Sequence, residues 1–121
     1  MLKIYKPLSG LDWMNYRIVR EMTAHHIVKR EDGGRLEMGN IAPLTEVGHR
    51  YLHIIEYKDE EAYRVINRLF GVINTQGHEP NEGERQMIEY ILREFEAFHG
   101  DDLNAKGEPL IKDVYLKRYY R

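Results

Sequence analysis

Four of the six histidines stand at positions 25, 26, 49 and 53. His49 and His53 are four residues apart, and on a helix that spacing puts both imidazoles on one face, one turn apart. A helix offers two rings to one metal ion in this way. The third ligand must then come from another element, and the adjacent pair His25-His26 can supply it. Successive residues of a strand point to opposite faces, so these two rings cannot serve in the same way. The pair suits two roles, one ligand and one base. A neutral imidazole is a good ligand for zinc and similar borderline ions. An imidazole of ordinary pKa, about 6.5, is suited to taking a proton from water near neutral pH.

The elements that must hold these side chains can be read around them. Thr23-Ala24-His25-His26-Ile27-Val28 reads as a strand, from its β-favouring Thr, Ile and Val. Glu31-Asp32-Gly33-Gly34 is a turn signal. Asn40-Ile41-Ala42-Pro43-Leu44 reads as a second, short strand, which Pro43 confines to an edge or an end. Thr45 is a helix N-cap, followed by Glu46 in the first turn, and the helix should run to about Glu56. Gly48 weakens that helix by roughly 1 kcal/mol relative to alanine.

This arrangement resembles the HNH endonuclease motif. His25-His26-Ile27, the double glycine 33–34, Asn40-Ile41-Ala42-Pro43-Leu44, and then His49 and His53 carry the resemblance, over about residues 23–55. It implies a ββα-metal unit and a metal-dependent nuclease. By its pattern His25 would be the strand ligand and His26 the general base that activates water. Asn40 would be the residue whose amide ties the hairpin loop. His49 and His53 would be the helix ligands of the three-histidine subgroup typified by bacterial toxin nucleases. One divalent ion is implied, zinc first, with magnesium, manganese or nickel as alternatives, and DNA is the implied substrate. Lys29, Arg30, Arg35 and Arg50 lie close enough in sequence to hold phosphates. Two departures stand out. Many family members carry cysteines at the positions of Thr45 and Gly48, as half of a structural zinc knuckle; here core packing must replace it. Some toxin-type members have an acidic residue two positions before the strand ligand, where this chain has Thr23.

After the motif, a second helix is expected from Asp59, with Ala62, Val65, Ile66, Leu69, Phe70 and Ile73 on one face. Residues 75–80 break it. Asn81 and Glu84 form a capping-box pattern ahead of a third helix with Met87, Ile88, Ile91, Leu92, Phe95 and Phe98 at helical spacing. Before the motif, Leu2-Ile4 reads as a short strand and 11–16 as a helical turn around Trp13. The fold class expected is α+β: a ββα-metal unit extended by two helices. The domain plan is a single domain over 1–121, with the motif at 23–55, a helical extension at 59–99 and an aromatic, basic tail at 101–121.

Composition limits the function further. There is no cysteine among the 121 residues, which excludes disulfides, zinc ribbons and thiol catalysis. The N-terminus lacks the apolar core of a signal peptide, and no stretch approaches the roughly 18 apolar residues of a membrane span, so a cytoplasmic location with no membrane partner is expected. Net charge is −2 but uneven. Residues 1–54 carry 8 basic and 6 acidic side chains, and residues 55–100 carry 5 basic and 10 acidic. A nucleic-acid binder usually shows a basic footprint. The acidic second half therefore keeps another class in play: a non-catalytic metal-binding scaffold that binds and inhibits another protein. A phage-encoded inhibitor of a host CRISPR or other defence nuclease is the example, bound through the acidic helical surface of 55–100, with Glu60, Glu61, Glu89 and Glu94 among its acids. His78 and His99 read as loop and helix-end residues.

Overall fold

The computed structural model describes residues 4–111 and residue 118. Two antiparallel strands, β1 (Thr23–His26) and β2 (Ile41–Leu44), are followed by three helices, α1 (Glu46–Lys58), α2 (Glu60–Gln76) and α3 (Glu82–His99). The protein is thus a small α+β fold. Thr23 pairs with Leu44, His25 with Ala42 and His26 with Ile41, so the histidine pair sits at the end of the hairpin that leads into its long connection.

Each helix starts where side-chain chemistry satisfies its free N–H groups. The Thr45 hydroxyl accepts from the Gly48 N–H at 3.0 Å, and the Asp59 carboxylate accepts from the Ala62 N–H at 3.1 Å. Asn81 and Glu84 form a reciprocal capping box, each side chain accepting from the other's backbone N–H at 2.8 Å. Gly77, in the left-handed region at φ 77°, ends α2.

The core lies between the hairpin and the three helices. Trp13, Leu44, Tyr51, Leu52, Ile55, Ile66, Phe70, Ile88 and Leu92 are all buried there. Burial of each large side chain contributes about 1.5–3 kcal/mol. Two expected helix faces are rotated from what the apolar pattern gave. On α2 Tyr63 is buried and Val65 is exposed. On α3 Met87 and Phe98 are exposed, while Arg85 and Glu89 are buried. On α3 the cause is a polar partner on each buried charge. The Arg85 guanidinium donates to the Asp12 and Leu11 carbonyls, Asn15 Oδ1 and Ser9 Oγ. Glu89 holds Arg118 at 2.8 Å, and Arg118 also pairs with Glu96.

The segment before β1 differs from expectation. Residues 11–16 make one hydrogen-bonded turn around Trp13, from the Asn15 N–H to the Asp12 carbonyl at 3.1 Å, and no helix continues from it. Leu11 and Arg17 make an isolated antiparallel bridge, and Asn15 takes φ 68°. The buried Asp12 sets this loop: one carboxylate oxygen accepts from the Met14 and Tyr16 N–H groups at 2.8 and 2.9 Å. The expected strand at Leu2-Ile4 falls largely outside the described residues, and Ile4 itself is irregular. Residues 112–117 and 119–121 of the basic, aromatic tail, among them Lys112, Tyr115, Lys117, Tyr119, Tyr120 and Arg121, also lie outside them. Among the described residues no helix is long and apolar enough to cross a membrane.

Candidate metal centre

β1 and α1 bring three of the four clustered histidines together. The His25 and His49 ring centres are 5.7 Å apart, edge to face, and those of His49 and His53 are 4.9 Å apart, stacked. Two imidazoles bound to one tetrahedral ion through bonds of about 2.0–2.1 Å have ring centres roughly 5 Å apart. The two ring separations that His49 makes are of that order. In their present rotamers, no three His, Cys, Asp or Glu side chains among the described residues form a group placed to hold one ion. Closing the set on an ion would need ring rotation.

His25 is 4% exposed and lies edge-on to Tyr63 and Phe70, 6.2 and 6.0 Å between ring centres. Burial lowers its pKa to about 4, against the smaller opposing pull of its hydrogen bond to Asn67. Burial also lowers the pKa of His49, with protonation of His53 and His26 disfavouring its charge further. Both rings are thus neutral at physiological pH, the form that ligates a metal. His53 is the solvent-facing member, its side chain 61% exposed. His26 is half-buried and, by strand alternation, points away from His25.

His49 and His25 each have one ring nitrogen in a hydrogen bond, and His53 has one near a carboxylate. Thr23 Oγ1 stands 2.8 Å from His49 Nδ1 and gives its own proton to the Leu44 carbonyl at 3.0 Å. Asn67 Oδ1 stands 2.8 Å from His25 Nε2, while the Asn67 amide nitrogen donates to the Ile27 carbonyl at 2.8 Å. A Glu56 carboxylate oxygen is 3.5 Å from His53 Nδ1, and the other accepts from Lys29 at 2.5 Å. Burial raises the Glu56 pKa, but the Lys29 and His53 contacts outweigh it and leave the carboxyl below its ordinary value.

Asn40, 8% exposed, closes the loop between the strands. Its Oδ1 accepts from the Val28 N–H at 2.8 Å, and its Nδ2 donates to the Val28 and Arg35 carbonyls at 3.0 and 3.1 Å. Gly34 has to be glycine here. A Cβ at that position would lie 1.8 Å from the Val28 carbonyl oxygen and 2.8 Å from Asn40 Nδ2.

The phosphate-binding candidates divide. Arg30 and Arg35 are exposed on the loop after β1. Lys29 is committed to Glu56, and Arg50 makes an exposed pair with Glu46 at 2.7 Å, the kind that contributes little. Sequence reasoning missed a second basic edge. A groove of about 670 Å³ runs between the end of β1 and α2, lined in part by Ile27, Val28, Tyr63, Arg64, Asn67 and Arg68. It also missed Asn67 and Asn74. Seven residues apart on α2, they donate to the hairpin, Asn67 to the Ile27 carbonyl and Asn74 to those of Met38 and Ile41. A polar residue every second helical turn on an otherwise apolar face was the available signal. The two remaining histidines are local: His78 Nδ1 meets the Glu79 carbonyl and His99 Nδ1 meets Asp102, 2.8 Å away.

The positions of Thr45 and Gly48 hold a carboxylate clamp. Asp12 Oδ2 accepts from the Thr45 N–H and hydroxyl at 2.8 and 2.7 Å, and a Cβ on Gly48 would approach it to 2.5 Å. Burial raises the Asp12 pKa, and its four hydrogen bonds oppose the rise. This clamp ties the segment before β1 to the start of the helix that carries His49 and His53. No protein-family model, no curated protein and no solved structure matches the chain.

Proposed function

We propose that this protein is a small metal-dependent endonuclease with a ββα-metal site of HNH type, cleaving or nicking DNA phosphodiester bonds. The observation that carries the reading is the position of Asn40. Its amide spans the loop from Val28 to Arg35, directly after the strand that bears His25 and His26. A side chain in that place fixes the exit of β1, and hence the direction of His26, relative to α1. Two neutral imidazoles, His25 and His49, with His53 at the solvent edge, form a donor set that suits zinc, nickel or a similar ion.

A divalent ion held there supplies charge stabilisation at the phosphate undergoing cleavage. The protein's own groups do the rest. His26 accepts the proton of the attacking water. Arg30 and Arg35 from the loop, and Arg68 from α2, hold flanking phosphates. Supercoiled plasmid incubated with the full chain and a divalent metal salt tests the reading. Relaxed or linear product that chelator abolishes supports it, and intact plasmid under every metal contradicts it.

The inhibitor reading draws less support. Of four acids named on its acidic helical surface, Glu89 is buried against Arg118 and Arg93, and Glu60 is paired with Arg64 at 2.5 Å. Glu61 and Glu94 are exposed, and Glu60 is exposed but paired.

A further inference from the structure

We propose that the groove between α2 and α3 is a docking site for a basic amphipathic helix of a partner protein, which seats its apolar side chains between Val65 and Phe98 and its lysines or arginines on Glu61 and Glu94. The groove is turned away from the clustered histidines. Val65 and Asn67, two residues apart, stand about 200° apart around α2, and Asn67 is the one that meets His25. Docking here is therefore independent of the metal-centre reading.

The start of α2 and the later half of α3 wall the groove, whose volume is about 260 Å³. Val65 from α2 and Tyr90, Ile91 and Phe98 from α3 give it an apolar lining. Phe98 is 79% exposed and Tyr90 66%, and Met87 and Val65 are exposed beside them. Met87, Ile91 and Phe98 fall on one face of α3, an apolar stripe about 16 Å long and about three turns deep along the helix. The neighbouring face, with Ile88, Leu92 and Phe95, already fills the core. The stripe is thus apolar surface that the fold itself does not use, and grouped exposed side chains of this size mark interaction sites.

Charge selects the partner. Asp59, Glu61 and Glu94 also line the groove, and none of its described lining residues is basic. Asp59 is occupied with capping α2, its carboxylate accepting from the Ala62 N–H at 3.1 Å. Glu61 and Glu94 are exposed on opposite walls. Acids on both sides of an apolar floor fit a partner whose cations flank an apolar strip on both sides. The same acids oppose pairing with this face of a second copy, which would set acid against acid. The chain's own basic tail is engaged elsewhere at Arg118, which pairs with Glu89 and Glu96 on the opposite flank of α3.

The shape selects a helix. Both walls are helices whose backbone groups are bonded within themselves, so an extended segment laid between them finds no backbone partner. A helix satisfies its own backbone and presents apolar anchors at i, i+3, i+4 and i+7 along such a groove. The volume lies below the range of about 300–1,000 Å³ common for small-molecule sites and suits anchoring side chains.

The full chain, titrated with a labelled helical peptide of about five turns, tests this, with leucines at i, i+3, i+4 and i+7 and lysines elsewhere. Anisotropy should show saturable binding, and ¹⁵N amide shifts should concentrate in residues 59–65 and 87–98. The same peptide with glutamates for lysines should not bind. Phe98→Ala and Tyr90→Ala should each weaken binding about 10-fold, and Glu61→Lys and Glu94→Lys should weaken it as well. Glu37→Lys makes the same change in net charge beside the far end of α2, where Asn74 meets the Met38 carbonyl, and should leave binding unchanged. All five are surface substitutions, and a parental melting temperature confirms that each is folded. No saturable binding would overturn the proposal, as would parental binding in Phe98→Ala and Tyr90→Ala. Equal losses in Glu37→Lys and Glu94→Lys would reduce the effect to net charge and overturn it too. A parent that sediments as a dimer, which Phe98→Ala dissociates, would give the face to a second copy instead.

Discussion

Asp12 and Gly48 are packed so closely that the helix can carry no side chain at position 48: a Cβ there would stand 2.5 Å from Asp12 Oδ2. The contact joins a loop 36 residues upstream to the first turn of α1, the helix that carries two of the clustered histidines.

Gly48→Ala should therefore destabilise the protein, although alanine is the better helix former by about 1 kcal/mol. Asp12 cannot swing aside, because it is fully buried and its carboxylate accepts four hydrogen bonds. Overpacking of this kind costs about 1–3 kcal/mol. Asp12→Asn should also destabilise, since an amide nitrogen facing the Thr45 N–H leaves a buried donor unsatisfied at about 1–3 kcal/mol. Thermal melts check both, and a raised melting temperature for Gly48→Ala would show that the clamp is slack.

The metal-free protein should lose stability as pH falls from about 6.5 towards 4. His25 has its pKa lowered to about 4 by burial, and that of His49 is lowered in the same direction. The unfolded chain, with ordinary histidines near 6.5, then binds more protons than the fold. The stability is fully present above 6.5 and is lost progressively down to the folded value, by about 3 kcal/mol for His25. Urea melts with chelator at pH 7.5 and pH 5 measure it. His25→Phe, packed against the same Tyr63 and Phe70, should lose less between those two pH values than the parent. Equal losses would place the pH dependence elsewhere.

Arg118→Ala should cost about 3–5 kcal/mol, because it leaves Glu89 and Glu96 without their shared cation. Arg118 is almost fully covered, with 4% of its side chain exposed, and Tyr51 donates to Glu96 at 2.7 Å in the same cluster. A denaturant midpoint matching the parent's would mean that this ion-pair cluster adds nothing to stability.

What could be read from the sequence follows the range of the forces involved. The hairpin, the start of α1 at Thr45 and the capping box at Asn81 are set by neighbours within a few residues, and their positions were legible. The i, i+4 spacing of His49 and His53 likewise placed two rings on one helix face. The segment before β1 was not legible, because Asp12 meets Thr45, and Arg85 reaches back to Asp12 and Asn15, over 33 to 73 residues. The buried side of α3 was misjudged for the same reason. Arg85 and Glu89 count as solvent-facing in any apolar pattern, and only their distant partners make burial favourable. The seven-residue spacing of Asn67 and Asn74 marked a polar stripe on α2, but not its purpose; that comes from His25, 42 positions upstream.

Asn40→Ala should weaken both fold and activity. It removes three hydrogen bonds and strands the Val28 N–H and carbonyl at the exit of β1. A loss of about 1–3 kcal/mol is expected, together with reduced plasmid nicking at temperatures where the variant is still folded. Parental nicking by a folded Asn40→Ala protein would separate the loop tie from the chemistry.

The most direct test of the account compares the two adjacent histidines, measuring bound metal and plasmid nicking on the same preparations. The parent should hold close to one zinc or similar ion per chain and nick supercoiled plasmid. His25→Ala should lose both. His26→Ala should keep the metal and the melting temperature but nick about 10²–10⁴-fold more slowly, as removal of a general base requires. A parent without metal or nicking, or a His26→Ala protein that nicks at the parental rate once contaminating nucleases are excluded, would contradict it.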